Sequence, residues 1–184
     1  MPVPDFSPGE VLTSSVMDRV GLWHITTVTP TPANTIVVSN VFTSGFRDYL
    51  VICTPIGVVA GSDITLQLRT GAFPAVTAYY MTNLFVEGTS VTSSGENNVG
   101  SWRAMNLGAA GNPTFNSLKF DVYGPQVASH TRYQVNGGGW SGSQVRYRSA
   151  VGFQGESISF DGFQLNASSN ISATITVYGY NKGQ

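Results

Sequence analysis

The stretch Ser157 to Tyr180, SISFDGFQLNASSNISATITVYGY, constrains the fold more than any other part of the chain. Ile171, Ala173, Ile175 and Val177 alternate with Ser172, Thr174, Thr176 and Tyr178. A two-residue period is what a strand with one buried and one wet face produces. Upstream, Ile158 and Phe160 keep the alternation until Asp161-Gly162, after which Phe163 and Leu165 carry the apolar face on the opposite parity. The change of parity predicts one extra residue, a glycine bulge at Gly162. Between the two apolar runs lies Asn166-Ala167-Ser168-Ser169-Asn170, a run of turn formers. The pair is therefore expected to form an antiparallel hairpin that closes a sheet at its C-terminal end.

The same grammar runs back through the chain. Leu22 to Val28 opens the β region, and Thr29-Pro30-Thr31-Pro32-Ala33-Asn34 reads as a proline-stiffened turn. Further strands are expected at Thr35–Val41, Asp48–Pro55, Asp63–Arg69, Ala78–Glu87 and Ser101–Asn106. Others are expected at Ser117–Tyr123, Ser129–Asn136, Gln144–Ser149, Ser157–Leu165 and Ile171–Tyr180. Ile64, Leu66 and Leu68, and again Leu118, Phe120 and Val122, alternate with polar residues as half-buried antiparallel strands do. Thr89–Gly100 and Gly137–Gly142 are polar and glycine-rich, and are expected as exposed loops. Many short strands between Gly, Asn, Ser and Pro predict an all-β, antiparallel β-sandwich of jelly-roll-like type. A chain of 184 residues can bury about 70% of its unfolded surface, enough for a core without staples.

Residues 1–21 read differently. Met1 to Gly9 holds three prolines and a Pro-Gly step, an extended composition that cannot enter a sheet interior. Ser15 and Asp18 then stand at capping-box spacing, with Val16, Met17 and Val20 on one side at helical spacing. The expectation is an arm and a helix of about two turns, too short to be stable unless docked. The chain thus divides into a docking segment, 1–21, and a β domain, 22–184.

Composition narrows the function. Only 10% of residues are charged and the net charge is -1, so long-range attraction to nucleic acid or an anionic membrane has no source. The opening MPVPDFSPGEVL lacks the basic and apolar regions of a secretory signal, and no apolar run reaches membrane-spanning length. A soluble protein made in the cytosol is expected, with no nucleic-acid partner and no membrane insertion. The single cysteine, Cys53, lies in a run apolar on both parities and reads as a buried strand thiol.

Catalytic patterns are sparse. His24 and His130 stand alone, without the companions a metal site requires. Ten acidic residues are scattered, and a glycosidase pair would have to assemble in space from Glu87, Glu96, Asp121, Glu156 or Asp161. Gly57–Gly61 and Gly108–Gly111 are glycine pairs without the lysine and helix of a phosphate loop. Asn166 and Asn170 match the glycosylation acceptor pattern but read as hairpin-loop polar residues. The expectation is no enzyme, no cofactor and no metal. What remains is aromatic residues among basic ones: Trp102-Arg103, Arg132-Tyr133, Trp140 within GGGWSGS, and Arg146-Tyr147-Arg148. Trp140, Arg146, Tyr147 and Arg148 are the candidate recognition residues. Tyr123, Tyr147, Tyr178 and Tyr180 are expected on the outer strand face, where subunit contact would cover them.

The text Phe6-Ser7-Pro8-Gly9-Glu10-Val11-Leu12-Thr13-Ser14-Ser15-Val16-Met17-Asp18 resembles the opening of many tailed-bacteriophage virion proteins, where F-x-x-G-x-V-L-T-A-A-x-M-N begins a minor tail or fibre protein. Ser14 and Ser15 replace the usual alanines, and Asp18 the usual asparagine. Gly21-Leu22-Trp23-His24-Ile25, Val37 to Ser44, Phe46 to Tyr49, Ile64 to Arg69, Tyr79-Tyr80, Phe160 to Phe163 and Ile175 to Lys182 follow an order similar to that group. The resemblance implies a structural virion component, a β-rich tail appendage or capsid decoration, commonly homotrimeric, that contacts other virion proteins and touches a host-surface glycan or protein. In that case Phe6, Val11, Leu12, Val16, Met17 and Val20 dock the chain on the particle, and such families bring no catalytic residues to transfer. A free carbohydrate-binding module is the alternative.

Overall fold

The structure, a computed structural model, describes residues 21–58, 62–107 and 116–180. They form twelve strands in one antiparallel sheet. In chain order these are β1 (Leu22–Val28), β2 (Ala33–Val38), β3 (Asp48–Val58), β4 (Ser62–Thr70), β5 (Phe73–Pro74) and β6 (Tyr79–Glu87). They continue as β7 (Ser90–Val99), β8 (Trp102–Leu107), β9 (Ser117–Tyr123), β10 (Thr131–Trp140), β11 (Val145–Gln154) and β12 (Gly162–Tyr180). The arm, the helical turn and all six docking residues fall outside the described residues, as does Gly108–Gly111.

β12 is the spine. Its first part, from Gly162 to Asn166, runs between β2 and β4. Its second part runs along β3 from Ile171, which still faces Ala33 of β2, and lies between β3 and β1 from Ile175 onward. One 19-residue strand therefore belongs to two limbs of a curled sheet, the device by which strands turn sheet corners. One limb carries β2, β12, β4, β5 and β8, and the other continues from β3 through β9, β10, β11 and β6 to the edge strand β7. The limbs close on a single core: Trp102 of β8 packs on Tyr133 of β10 and Tyr79 of β6. Phe120 and Phe163 meet edge to face with ring centroids 5.3 Å apart. The all-β, antiparallel reading holds, and the arrangement is consistent with a β-sandwich-like fold.

The period-two alternation holds as well, with Ile171, Ala173, Ile175 and Val177 buried and their neighbours only partly so. The hairpin does not. The two apolar runs never pair with each other, and the chain passes through Asn166–Asn170 without reversing. These turn formers sit where β12 changes partners, and distant side chains satisfy them. Ser168 N–H donates to Ser62 Oγ at 2.8 Å, Asn166 Nδ2 to Gln67 Oε1 at 2.9 Å, and Thr35 Oγ1 to Asn166 Oδ1 at 3.1 Å. No register shift falls at Gly162; the shifts lie at Asn166/Ile171 and Ala173/Ile175. Gly162 instead lets the Val38 carbonyl approach where a Cβ would stand. Residues 157–161 are not strand, and Ile158 is exposed while Phe160 is buried.

Most of both expected loops is strand, although Thr89–Gly100 is largely exposed as expected and Ser141–Gly142 lies beyond the end of β10. Thr89–Gly100 contains β7, joined to β6 by a tight turn in which Glu87 faces Ser90 and Gly88 takes a positive φ of 57°. Its polar text has no apolar side to alternate because β7 is an edge strand with exposed side chains on both faces. Gly137 to Trp140 prolongs β10, where a Cβ at Gly139 would strike Asn116 and come within 3.0 Å of Met105. The glycines there make room for core side chains.

Candidate recognition surface

Strand alternation splits the Arg146-Tyr147-Arg148 triplet. Tyr147 faces solvent with Trp140 on the outer face of β10 and β11, where its hydroxyl donates to Asn136 Oδ1 at 2.7 Å. Arg146 and Arg148 point between the limbs. Arg146 donates to Glu87 and to Asn106, which in turn donates to Asp63, so a polar chain bridges β6, β11, β8 and β4. Arg148 lies deeper, its guanidinium 5.3 Å from the Phe85 ring centroid, with Nε and Nη1 buried and unpartnered. Burial lowers its pKa, an effect that nearby Asp63 opposes. The structure thus brings together Trp140 and Tyr147 but not the two arginines.

A second constellation occupies the other end of the same outer face. Register places one residue from each of six strands in a row: Tyr180 faces Asp48, Asp48 faces Tyr123, Tyr123 faces Arg132, Arg132 faces Phe153, and Phe153 faces Tyr80. At a strand spacing of about 4.8 Å the row spans about 24 Å. The Phe153 ring stacks on Tyr80, with centroids 4.7 Å apart and planes 11° from parallel. His130 stacks on the Phe153 ring at 5.6 Å and 25°. Trp140 lies eight residues along β10 from Arg132, about 27 Å away.

A cleft of about 230 Å³ opens at this row, lined by Arg47, Asp48, Tyr123, Ser129, His130 and Arg132 among others. A more open depression of about 480 Å³ shares Arg47, Asp48, Tyr123 and Arg132 and continues over Gln134 and Val151. The β2–β3 and β9–β10 connections build its wall and are tied together: Gly124 N–H donates to the Arg47 carbonyl at 3.0 Å and to Asp48 Oδ1 at 2.9 Å. Gly124 takes a φ of 68°, the left-handed region that glycine enters without strain. Among the described residues the ion pairs are Arg103–Glu96 and Arg146–Glu87, so neither Arg47 nor Arg132 has a carboxylate partner. Partial burial, then Asp121 and Asp48, raise the Tyr123 pKa and keep its phenol neutral.

The five carboxylates considered for glycan cleavage are each engaged elsewhere. Glu87 and Glu96 hold arginines, Asp121 accepts from Tyr180, Glu156 from Thr77, and Asp161 from Gly71 N–H. His24 is exposed and hydrogen-bonds Thr27. Among the described residues no three His, Cys, Asp or Glu side chains converge as a metal site does. In the sequence Arg132 is visible only as part of the Arg132-Tyr133 pair and is not among the candidate recognition residues, and nothing there joins it to Arg47, Asp48, Tyr80 and Phe153. Only the cross-strand register, which no local signal carries, brings them together. Comparison with protein-family models, curated proteins and solved structures finds no match to this chain.

Proposed function

We propose that this chain is a structural component of a bacteriophage particle, a tail-fibre or minor-tail-like appendage that docks by residues 1–21 and projects a jelly-roll-like β-sandwich outward. It works by contact, as a virion protein made in the host cytoplasm, and needs no cofactor. The observation that carries the reading is the outer face of β10, β11, β6 and β7. There Val145, Val151, Leu84 and Val91 stand in solvent beside Trp140 and Tyr147. Apolar side chains gathered on one sheet face mark a surface made for another macromolecule. A homotrimer covers part of this face, and the remainder meets other virion proteins or the host surface. The resemblance of the N-terminal and β-domain text to tail and fibre proteins supports the same reading. Deletion of Met1–Val20 tests it: the β domain stays folded and particle incorporation is lost, whereas a truncated chain that still incorporates overturns the docking role.

A second reading, a carbohydrate-binding domain, is favoured by the stacked rings of Tyr80, Phe153 and His130 on an open face. The two are compatible where the appendage touches a host glycan.

A further inference from the structure

We infer that the cleft at the Tyr123–Arg132 end of the outer face binds a carboxylate-bearing sugar unit of a host or environmental polysaccharide. The cations come first. Among the described arginines, Arg69 donates to Gln164 and to the Ala72 carbonyl, Arg103 and Arg146 hold glutamates, and Arg148 is buried between the limbs. Of the described arginines, Arg47 and Arg132 alone are exposed without an acidic partner, and the fold sets both in one cleft. A guanidinium presents a planar fork of donors that matches a carboxylate in two parallel hydrogen bonds.

The acid in the same cleft decides which anion fits. Asp48 lines the wall with one oxygen held by Gly124 N–H and the other without a partner among the described residues. A doubly charged phosphate lodged there meets repulsion from this carboxylate. A singly charged carboxylate meets less, and a neighbouring hydroxyl on the same molecule donates to the Asp48 oxygen. The site therefore calls for a ligand that is both acid and polyol. Ser129 supplies a further hydroxyl to the wall.

The rings supply the third element. Tyr123 is half-exposed in the cleft and has no ring stacked on it among the described residues, and the stack of His130, Phe153 and Tyr80 leads away over the sheet, with Phe153 held between the other two rings. The C–H face of a pyranose is flat and weakly positive, and it packs on the negative face of an aromatic ring, here that of Tyr123. At about 230 Å³ the cleft is smaller than the sites that enclose a drug-sized ligand, so it takes one ring of a longer chain. Neighbouring units lie along the ring row. This ligand class goes beyond the particle reading and does not depend on it.

The test titrates the full chain by calorimetry with oligogalacturonate, a glucuronate-containing oligosaccharide and a sialylated oligosaccharide. The methyl-esterified oligogalacturonate, a sulfated oligosaccharide and inorganic phosphate serve as the other arms. Binding is expected to at least one carboxylated probe, with its methyl ester at least about tenfold weaker. Arg47→Gln and Arg132→Gln each weaken it by about ten- to a hundredfold, the loss of one charge-assisted contact. Both arginines are exposed, so the melting temperature stays where it was. Tyr123→Ala, at a half-exposed ring in the cleft, also weakens binding. No binding to any carboxylated probe overturns the inference. So does equal affinity for the ester, equal or tighter binding of the sulfated probe or phosphate, or wild-type affinity in the Arg47→Gln/Arg132→Gln double variant. Particle incorporation depends on residues 1–21 and is unaffected by these substitutions, so the two proposals fail separately.

Discussion

The indole of Trp102 lies flat on the ring of Tyr133, their centroids 4.1 Å apart and their planes 12° from parallel. One ring comes from β8 and the other from β10, so the contact joins the two limbs of the curled sheet. Tyr79 meets the indole edge-on at 4.9 Å and is fixed by its hydroxyl, which accepts from Leu68 N–H at 2.8 Å and donates to the Ala75 carbonyl at 3.1 Å.

Trp102→Ala is therefore expected to cost about 3 to 5 kcal/mol, the range for removing a large buried aromatic. Trp102→Phe keeps a ring in place and removes an indole N–H that is buried without a partner, so it costs much less. Urea unfolding of both variants checks this; equal losses would mean that the stack does not hold the limbs together.

Two arginines two residues apart on one face of β11 are expected to behave in opposite ways. Arg148 is 6% exposed with two unpartnered donors, and its contact with Phe85 offsets only part of the cost of its burial. Arg148→Met should leave stability unchanged or raise it by about 1 to 4 kcal/mol. Arg146→Met strips partners from Glu87 and Asn106 and should cost about 1 to 3 kcal/mol. Melting temperatures of the two variants on either side of wild type would bear this out, and a large loss at Arg148 would contradict it.

Much of the fold is legible in the sequence, because a two-residue period dictates which side chains enter the core. Ile64, Leu66 and Leu68 on β4 and Leu118, Phe120 and Val122 on β9 are all buried as their alternation requires. What local text does not carry is the partner of each strand. Asn166–Asn170 spells a turn, yet Ser62, Gln67 and Thr35 hold its polar groups and the strand runs on. The polar text of β7 is a strand only because β6 pairs with it. Of the candidate recognition residues, Trp140 and Tyr147 share a face, but which arginines face solvent was decided by strand parity and register.

Alkaline pH should destabilise the protein. Burial pushes the Cys53 thiol up to about 12 from 9.0 and raises the phenols of Tyr49, Tyr79 and Tyr133, while part-burial and Asp121 raise that of Tyr180. Above their ordinary values these groups lose protons in the unfolded chain while the folded chain still holds them, so stability falls as pH rises. The decline begins near pH 9 with Cys53 and steepens above pH 10 with the tyrosines. The urea midpoint at pH 8, 9, 10 and 11 measures it, and a flat profile to pH 11 would contradict it. Native Cys53, fully buried, should also resist a thiol reagent at pH 8 until the protein is unfolded.

Under the proposed function the β domain serves a particle through contact. Gradient-purified phage from the host that makes this protein, labelled with an antibody raised against residues 22–184, measures that directly. Label is expected at one fixed position on every particle, tail or head, in copy numbers that are multiples of three. Unlabelled particles, with the protein recovered only from the soluble fraction, would contradict it.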